Sequence, residues 1–298
     1  MFTFWINTME QGLIFSIMVL GVFITYKILD FPDLSVDGSF PLGAAVAASM
    51  LTRGVDPIIT SILALLMGML AGFFTGILHV KFKITNLLSG ILVMIGLYSI
   101  NLRVMGKANV HLFDKETLFS NNINPLIIIL AFMIITKLVL DFLLKTKFGF
   151  ILKATGDNPQ LVTSLGINIG TIKILGLMIA NGFVSLSGAI LAQYQGFSDV
   201  GMGAGMIVMG LASIILGEAI LKKTPLNSPT IMAVIGALLY QIGTGFALKL
   251  GFPATDLKLI TVIIIVLALA FKNNPLKFNL KKFIFTGGDS PVTNTKSA

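Results

Sequence analysis

The sequence predicts an all-α integral membrane protein with about nine transmembrane helices, one or two of them broken or re-entrant. Three observations predict this class. Hydrophobic residues make up 55% of the 298 positions, charged residues make up only 11%, and the mean hydropathy is +0.94. A soluble domain has about 25% charged residues, so this chain has too few charges to coat a surface in water. The same composition excludes intrinsic disorder of the whole chain.

Nine apolar segments reach or approach the ~20 residues that cross the hydrocarbon core of a bilayer. In chain order they cover residues 11–29, 38–52, 57–78, 84–102, 123–144, 170–192, 206–221, 228–248 and 255–271. Together they form one transmembrane domain over residues 1–271. The second and seventh segments are short, and each follows a stretch that contains glycine and aspartate. We therefore expect these two to be the broken or re-entrant helices.

The two halves of the chain resemble each other weakly. Residues 30–34 (DFPDL) are similar to residues 196–200 (GFSDV), and Gly196 follows Asp30 by 166 residues. The same offset brings the four segments of 11–102 close to those of 170–271, which leaves 123–144 as a linking helix. Five crossings separate each segment from its copy, so the copies point in opposite directions. Inverted-topology repeats of this kind are frequent in transporters.

The lysine and arginine residues predict the orientation, because they accumulate in cytoplasmic loops. Most of them fall on the cytoplasmic side if the N-terminus is outside, including those of the connector 145–168 and of the tail 272–298. We expect this orientation, with a basic cytoplasmic tail that is disordered at its end. The alternative keeps the N-terminus inside and makes the second segment re-entrant. The net charge of +8 then reflects topology and does not call for nucleic acid.

The connector 145–168 contains a turn and a helix start at Gly156, Asp157, Asn158 and Pro159. Either Asp157 or Asn158 can cap a short helix over 159–165, Pro159 suits its first turn, and Gly166 can end it. A short helix on the cytoplasmic face between two transporter halves is suited to docking a partner. An ordinary connector whose lysines contact anionic lipid headgroups is the alternative.

Two motifs of the chain resemble permease subunits of ABC importers of the branched-chain amino acid and ribose type. The first is the connector motif, with matches at Ala154, Gly156, Asp157, Asn158, Pro159, Gly166, Ile167 and Asn168, whereas Lys153 replaces the usual arginine. The second covers residues 33–39 (DLSVDGS), where Asp37 replaces a glycine. The resemblance extends over about residues 10–275.

The resemblance implies a permease in the bacterial plasma membrane that is not itself an enzyme. Its partners would be a cytoplasmic ABC ATPase, an extracytoplasmic binding protein or lipoprotein, and a second permease copy or a paralogue. ATP and Mg²⁺ would be bound by the ATPase, and the sequence agrees, since it has no GxxxxGK[ST] phosphate loop. The implied ATPase-coupling residues are Lys153, Ala154, Gly156, Asp157, Asn158, Pro159, Gly166 and Asn168. The subgroup that the chain resembles suggests tryptophan or tyrosine as the solute.

Eight polar residues within or beside the segments are candidates for the substrate pathway: Asp33, Ser35, Asp37, Asn86, Asn181, Gln193, Asp199 and Gln241. Each of them could instead bond neighbouring helices or lie in a solvated loop. The alternative function is an ion-coupled secondary transporter, in which Asp33, Asp37 and Lys137 would be the coupling groups. The absence of cysteine and the presence of only two histidines give no sign of a metal site.

Overall fold

The computed structural model describes residues 2–120, 123–221, 228–253, 256, 259–263 and 266. The first half contains α1 (Phe2–Phe23), a π-helical turn (Ile24–Ile28), α2 (Val36–Thr52), α3 (Pro57–Val80) and α4 (Asn86–Met105). A middle part follows, with β1 (Asn109–His111), α5 (Pro125–Lys145), α6 (Lys147–Asp157) and α7 (Pro159–Ser164). The second half contains α8 (Ile169–Gln195), β2 (Phe197–Asp199), α9 (Met206–Leu221) and α10 (Pro229–Lys249).

Six of these helices are long and apolar enough to cross a membrane, and the protein is therefore an integral membrane protein. They are α1 with its π-helical turn, α3, α4, α5, α8 and α10. The predicted short segments correspond to α2, with 17 residues, and α9, with 16 residues. The predicted ninth segment, 255–271, lies mostly outside the described residues, and the tail 272–298 lies wholly outside them.

Helix α8 is the centre of the bundle, because α1, α2 and α3 all pack along it. Its hydroxyl side chains bond the backbone of its neighbours. Ser185 Oγ donates to the Ala64 carbonyl at 2.6 Å, and Ser187 Oγ donates to the Ile14 carbonyl at 2.7 Å. Since a buried hydroxyl without a partner is costly, these bonds fix how α1 and α3 lie against α8.

The glycines spaced four apart on α3 serve packing within the chain. A Cβ atom added to Gly72 would lie 2.2 Å from the Leu177 carbonyl oxygen, and one added to Gly68 would lie 2.4 Å from that of Asn181. Both distances are far below a van der Waals contact. Helices α3 and α8 therefore approach each other closely only because these α3 positions carry no side chain.

Three features differ from the sequence prediction. Helix α1 begins at Phe2 rather than near residue 11, because residues 2–10, which mix apolar and polar side chains, continue the helix. Strands β1 and β2 form an antiparallel ribbon in which Val110 pairs with Ser198, although only helices were predicted. Helix α6 occupies the first part of the connector, and Thr146 Oγ accepts a hydrogen bond from Gly149 N at its start.

The molecule has two distinct ends. At one end α6 packs on the π-helical turn, and a Cβ on Gly156 would lie 2.0 Å from the Ile28 carbonyl oxygen. At the other end the β1–β2 ribbon joins the segment after α4 to the segment after α8. We call these the connector end and the ribbon end. The predicted orientation makes the connector end cytoplasmic.

Candidate substrate cavity and coupling connector

A cavity of about 530 Å³ lies between α2, α4 and the segment that leads from β2 into α9. We call it the α2–α4 cavity. Most of its walls are apolar, and its polar side chains include Asp37 and Asn101. The other residues that line it are Gly38, Pro41, Met94, Ile95, Tyr98, Val200, Gly201, Ala204 and Gly205. Small-solute sites in proteins have this size and this mixture of apolar walls with few polar groups.

Asp37 joins the two short helices at the cavity. It lies in the first turn of α2, and its carboxylate accepts hydrogen bonds from Gly205 N at 3.0 Å and Ile207 N at 2.8 Å. These amides belong to the start of α9, whose first N–H groups have no partner within the helix. A carboxylate is also favoured there by the helix dipole. Asp37 therefore holds the start of α9 against the start of α2.

Asn101 contributes a buried carbonyl without a hydrogen-bond donor. Its Nδ2 donates to the Gly38 carbonyl at 3.2 Å, which fixes the orientation of the amide. Its Oδ1 is buried and accepts no hydrogen bond from the part of the chain that the structure describes. An unpaired buried acceptor costs about 1–3 kcal/mol. Asn101 therefore brings a buried, unpaired acceptor to the wall of the cavity.

Three of the predicted pathway residues, Asp33, Ser35 and Asn181, form a cluster away from the cavity. Asp33 Oδ1 accepts from Ser35 N at 2.9 Å, and Asp33 Oδ2 accepts from Asn181 Nδ2 at 2.8 Å. Ser35 Oγ donates to Asn181 Oδ1 at 3.2 Å. All three side chains are completely buried, and none lines the α2–α4 cavity. The cluster ties the loop before α2 to the central helix α8.

Asp199 and Gln193 lie towards the ribbon end. Asp199 is in β2, where it accepts from Asn109 Nδ2 at 3.3 Å and from Gly201 N at 2.7 Å. It thereby supports the segment that forms one wall of the cavity. Gln193 donates to Ser61 Oγ at 3.0 Å and accepts from Leu118 N at 3.1 Å. Both ends of its amide are thus bonded within the protein.

Gln241 and Asn86 lie elsewhere. Gln241 donates to Gln11 Oε1 at 3.1 Å and lines a second cavity, of about 450 Å³, between α1 and α10. We call this the α1–α10 cavity. Asn86 is the first residue of α4 and lies at the end of that span. The eight predicted residues therefore form no single site, and Asp37 alone among them lines the α2–α4 cavity.

The connector has the cap structure that its sequence predicts. Asn158 rather than Asp157 caps α7, with its Oδ1 accepting from Leu161 N at 3.2 Å, and Pro159 is the first residue of that helix. Gly166 follows α7 with a φ of 73°, a conformation that favours glycine. Asn168 then caps α8, with its Oδ1 accepting from Thr171 N at 3.3 Å.

The remaining connector residues separate into a packed and an exposed group. Ala154 is half-buried, and its carbonyl accepts from Asn158 N at 2.8 Å. Asp157 and Lys153 are both exposed. The ammonium of Lys153 lies 5.9 Å from the centroid of the Phe150 ring. Val162 anchors α7, with 1% of its surface exposed, whereas Leu161 is 52% exposed and Leu165 is 67% exposed. The connector end therefore presents an apolar protrusion beside charged groups.

A family profile described as "Branched-chain amino acid transport system / permease component" matches residues 4–269. The chain is also 55% identical over 277 residues to the "Tyrosine transport system permease protein" of Clostridioides difficile, which covers 93% of both chains. The chain belongs to this permease family. The family assigned from the connector and the 33–39 motif is thereby confirmed.

Further relatives of the permease agree with this assignment. It is 32% identical over 229 residues to the "Autoinducer 2 import system permease protein LsrC" of Photorhabdus laumondii, covering 74% of this chain and 67% of that protein. Its fold resembles the solved structure "PsaBC from Streptococcus pneumoniae in complex with Fab", with a TM-score of 0.55 and 14% identity over 94% and 95% of the two chains. The second likeness concerns the fold alone.

The sequence analysis missed the α4 wall of the permease cavity. Met94, Ile95, Tyr98 and Asn101 follow the spacing of one helical face, which is a signal that the sequence does contain. This face could not be told from the rest of α4 in the sequence, because the opposite side of the helix is also apolar. In the described part of the permease there is no group of three or more His, Cys, Asp or Glu side chains that could hold a metal.

Proposed function

We propose that this permease is the transmembrane subunit of an ABC importer in a bacterial plasma membrane, and that it moves a small amino-acid-like solute. Tyrosine is the leading candidate. The observation that carries the proposal is the 55% identity, over 93% of both chains, to a protein named as a tyrosine transport permease. A cavity with apolar and aromatic walls next to a few polar groups supports a solute of this kind.

The energy source of the proposed importer is a separate ATPase subunit that binds ATP and Mg²⁺. The connector supports this, because Val162 is the one buried residue of α7. Leu161 and Leu165 beside it are exposed and available to a partner. The close contact of Gly156 with Ile28 then links movement of α7 to the end of the first span. A binding protein delivers the solute from the opposite, ribbon end.

The proposed pathway is built from two inverted repeats and needs a second permease copy or a paralogue. Asp30 and Gly196 support the repeat, because they are 166 residues apart and both have positive φ, 51° and 74°. The packing supports it too, since α3 lies on α8 as α10 lies on α1. The sequence offset makes α1 correspond to α8 and α3 correspond to α10. This correspondence turns the packed pair α3–α8 into the pair α10–α1, which is also packed.

Two of the three candidate coupling groups of the ion-coupled alternative, Lys137 and Asp37, have structural partners. Lys137 Nζ lies 2.5 Å from Asp141 Oδ2 on the same helix, and Asp141 Oδ1 accepts a hydrogen bond from Thr230 Oγ1 at 2.6 Å. A lysine held in this way neutralises its neighbour. Asp37 is likewise bonded to the start of α9. Both groups therefore have structural partners that account for them.

The decisive experiment measures uptake of radiolabelled tyrosine into cells that lack their own tyrosine transport. The permease is expressed with and without the proposed ATPase and binding-protein partners. We expect uptake only with all three proteins, and we expect it to survive an ionophore that collapses ion gradients while ATP is maintained. Uptake by the permease alone that the ionophore abolishes would instead establish the secondary transporter.

A further inference from the structure

We propose that the α2–α4 cavity is a solute subsite of this chain that selects aromatic solutes carrying a hydrogen-bond donor on the ring, with the Asn101 carbonyl as the acceptor. The inference rests on the proposed import function and adds to it. It names the residue that distinguishes tyrosine from phenylalanine, two solutes that differ by one hydroxyl group.

The acceptor role belongs to Asn101 because, among the residues that line the cavity, its carbonyl oxygen is the buried side-chain atom that the described protein leaves unsatisfied. The bond from Nδ2 to the Gly38 carbonyl prevents an amide flip, since a flip would bring two oxygens together. Oδ1 then remains buried without a donor from the described residues. Asp37 is less suited to this role, because its carboxylate already accepts from Gly205 N and Ile207 N.

The walls supply the preference for an aromatic body. Tyr98, Met94 and Pro41 surround a space of about 530 Å³ that is ample for one amino acid side chain. Aromatic rings pack favourably against other rings and against methionine sulfur. Tyr98 is 53% exposed and Ile95 is 59% exposed, so this wall is open in the single chain.

Selectivity follows from the unpaired acceptor. A site built to bond a donor rejects an analogue that lacks the donor, because the buried protein group stays unpaired when that analogue binds. A phenol hydroxyl or an indole N–H can supply the bond, whereas a phenyl ring cannot. Tyrosine and tryptophan are thus expected to bind more tightly than phenylalanine.

The absence of native cysteine allows a direct test. Ala204 lines the cavity and is exposed, so Ala204→Cys introduces a single reactive thiol there. The full chain is placed in lipid nanodiscs, and the rate of modification by a methanethiosulfonate reagent is measured with L-tyrosine or L-phenylalanine. We expect half-maximal protection by tyrosine at a concentration about fivefold lower or more, the order expected for one unpaired buried acceptor. Equal protection by the two amino acids would overturn the proposal.

Two further variants assign the effect to Asn101. Asn101→Leu in the Ala204→Cys background should bring the two protection curves together, and selectivity that survives this change would refute the acceptor role. Asn7→Cys is the matched control, because Asn7 is exposed and lines the α1–α10 cavity instead. Tyrosine should leave its modification rate unchanged. If Asn101→Leu does not fold, the comparison of tyrosine with phenylalanine in Ala204→Cys alone still decides whether the cavity selects the solute with the ring donor.

The outcome is separable from that of the import function. ATP-driven tyrosine uptake without protection of Ala204→Cys would remove the subsite and leave the importer standing. Selective protection without ATP-driven uptake would leave the subsite and remove the importer.

Discussion

Asp33 shows how a single polar residue inside the bundle can be structural. Its carboxylate is completely buried, and its hydrogen-bond donors are the Ser35 amide and the Asn181 side chain, both of them neutral. A buried polar group is tolerated only when hydrogen bonds replace the lost water. Because Asn181 also accepts from Ser35 Oγ, each member of the cluster depends on the other two. The cluster therefore fixes the loop before α2 on α8.

Asn181→Leu should destabilise the permease strongly, because it keeps the volume but removes the donor to Asp33 and the acceptor for Ser35. The expected loss is about 1–3 kcal/mol, the cost of leaving a buried polar group unsatisfied. For a chain of this size the melting temperature in detergent should fall by roughly 2–5 °C.

Asn7→Leu is the control for this change, since Asn7 is exposed and the same atoms are replaced there. Its melting temperature should stay close to that of the wild type. Equal melting temperatures for Asn181→Leu and the wild type would show that the cluster contributes nothing to stability.

At the scale of elements, hydropathy predicted the long helices, and cap chemistry predicted α7. The run 159–165 was expected and Pro159–Ser164 is observed, because Asn158, Pro159 and Gly166 each act through local geometry. Helix α6 was missed because its 11 residues are too short and too polar to appear as a span. The ribbon was missed because three-residue strands have no detectable periodicity and pair across 90 positions of sequence.

The exposed side of α7 should be required for ATPase binding. Leu161→Asp combined with Leu165→Asp places two charges where the proposed interface has apolar side chains, and buried unpaired charges oppose docking. Val162 is unchanged, so the helix should keep its place on the bundle. We expect at least a tenfold loss of the co-purifying ATPase, with an unchanged melting temperature of the permease.

Phe82→Asp provides a matched control, because Phe82 is 68% exposed in the loop between α3 and α4, outside the connector. This variant should retain the ATPase. If the α7 double variant retains it as well, α7 is not the docking element. If Phe82→Asp loses it too, the interface is broader than the connector.

At the scale of the whole molecule, the site was harder to predict than the fold. The cavity combines side chains from α2, α4 and the segment after β2. These elements are far apart in the sequence, since the hydrogen bond from Gly205 N to Asp37 joins residues 168 positions apart. No local pattern joins such distant positions. The proposed inverted repeat explains why they meet, since the two short helices α2 and α9 would be related copies whose N-termini face each other. Asp37 then caps the copy of its own helix.

The orientation of the whole molecule rests on the distribution of lysine and arginine, and labelling can test it directly. Phe113 is 74% exposed at the ribbon end, and Phe150 is 65% exposed at the connector end. In the cysteine-free chain, Phe113→Cys and Phe150→Cys each give one thiol for a membrane-impermeant maleimide. We expect intact cells to label Phe113→Cys alone, and permeabilised cells to label both. Labelling of Phe150→Cys in intact cells would show that the permease has the opposite orientation. Helix α7 would then lie outside the cell, out of reach of any cytoplasmic ATPase.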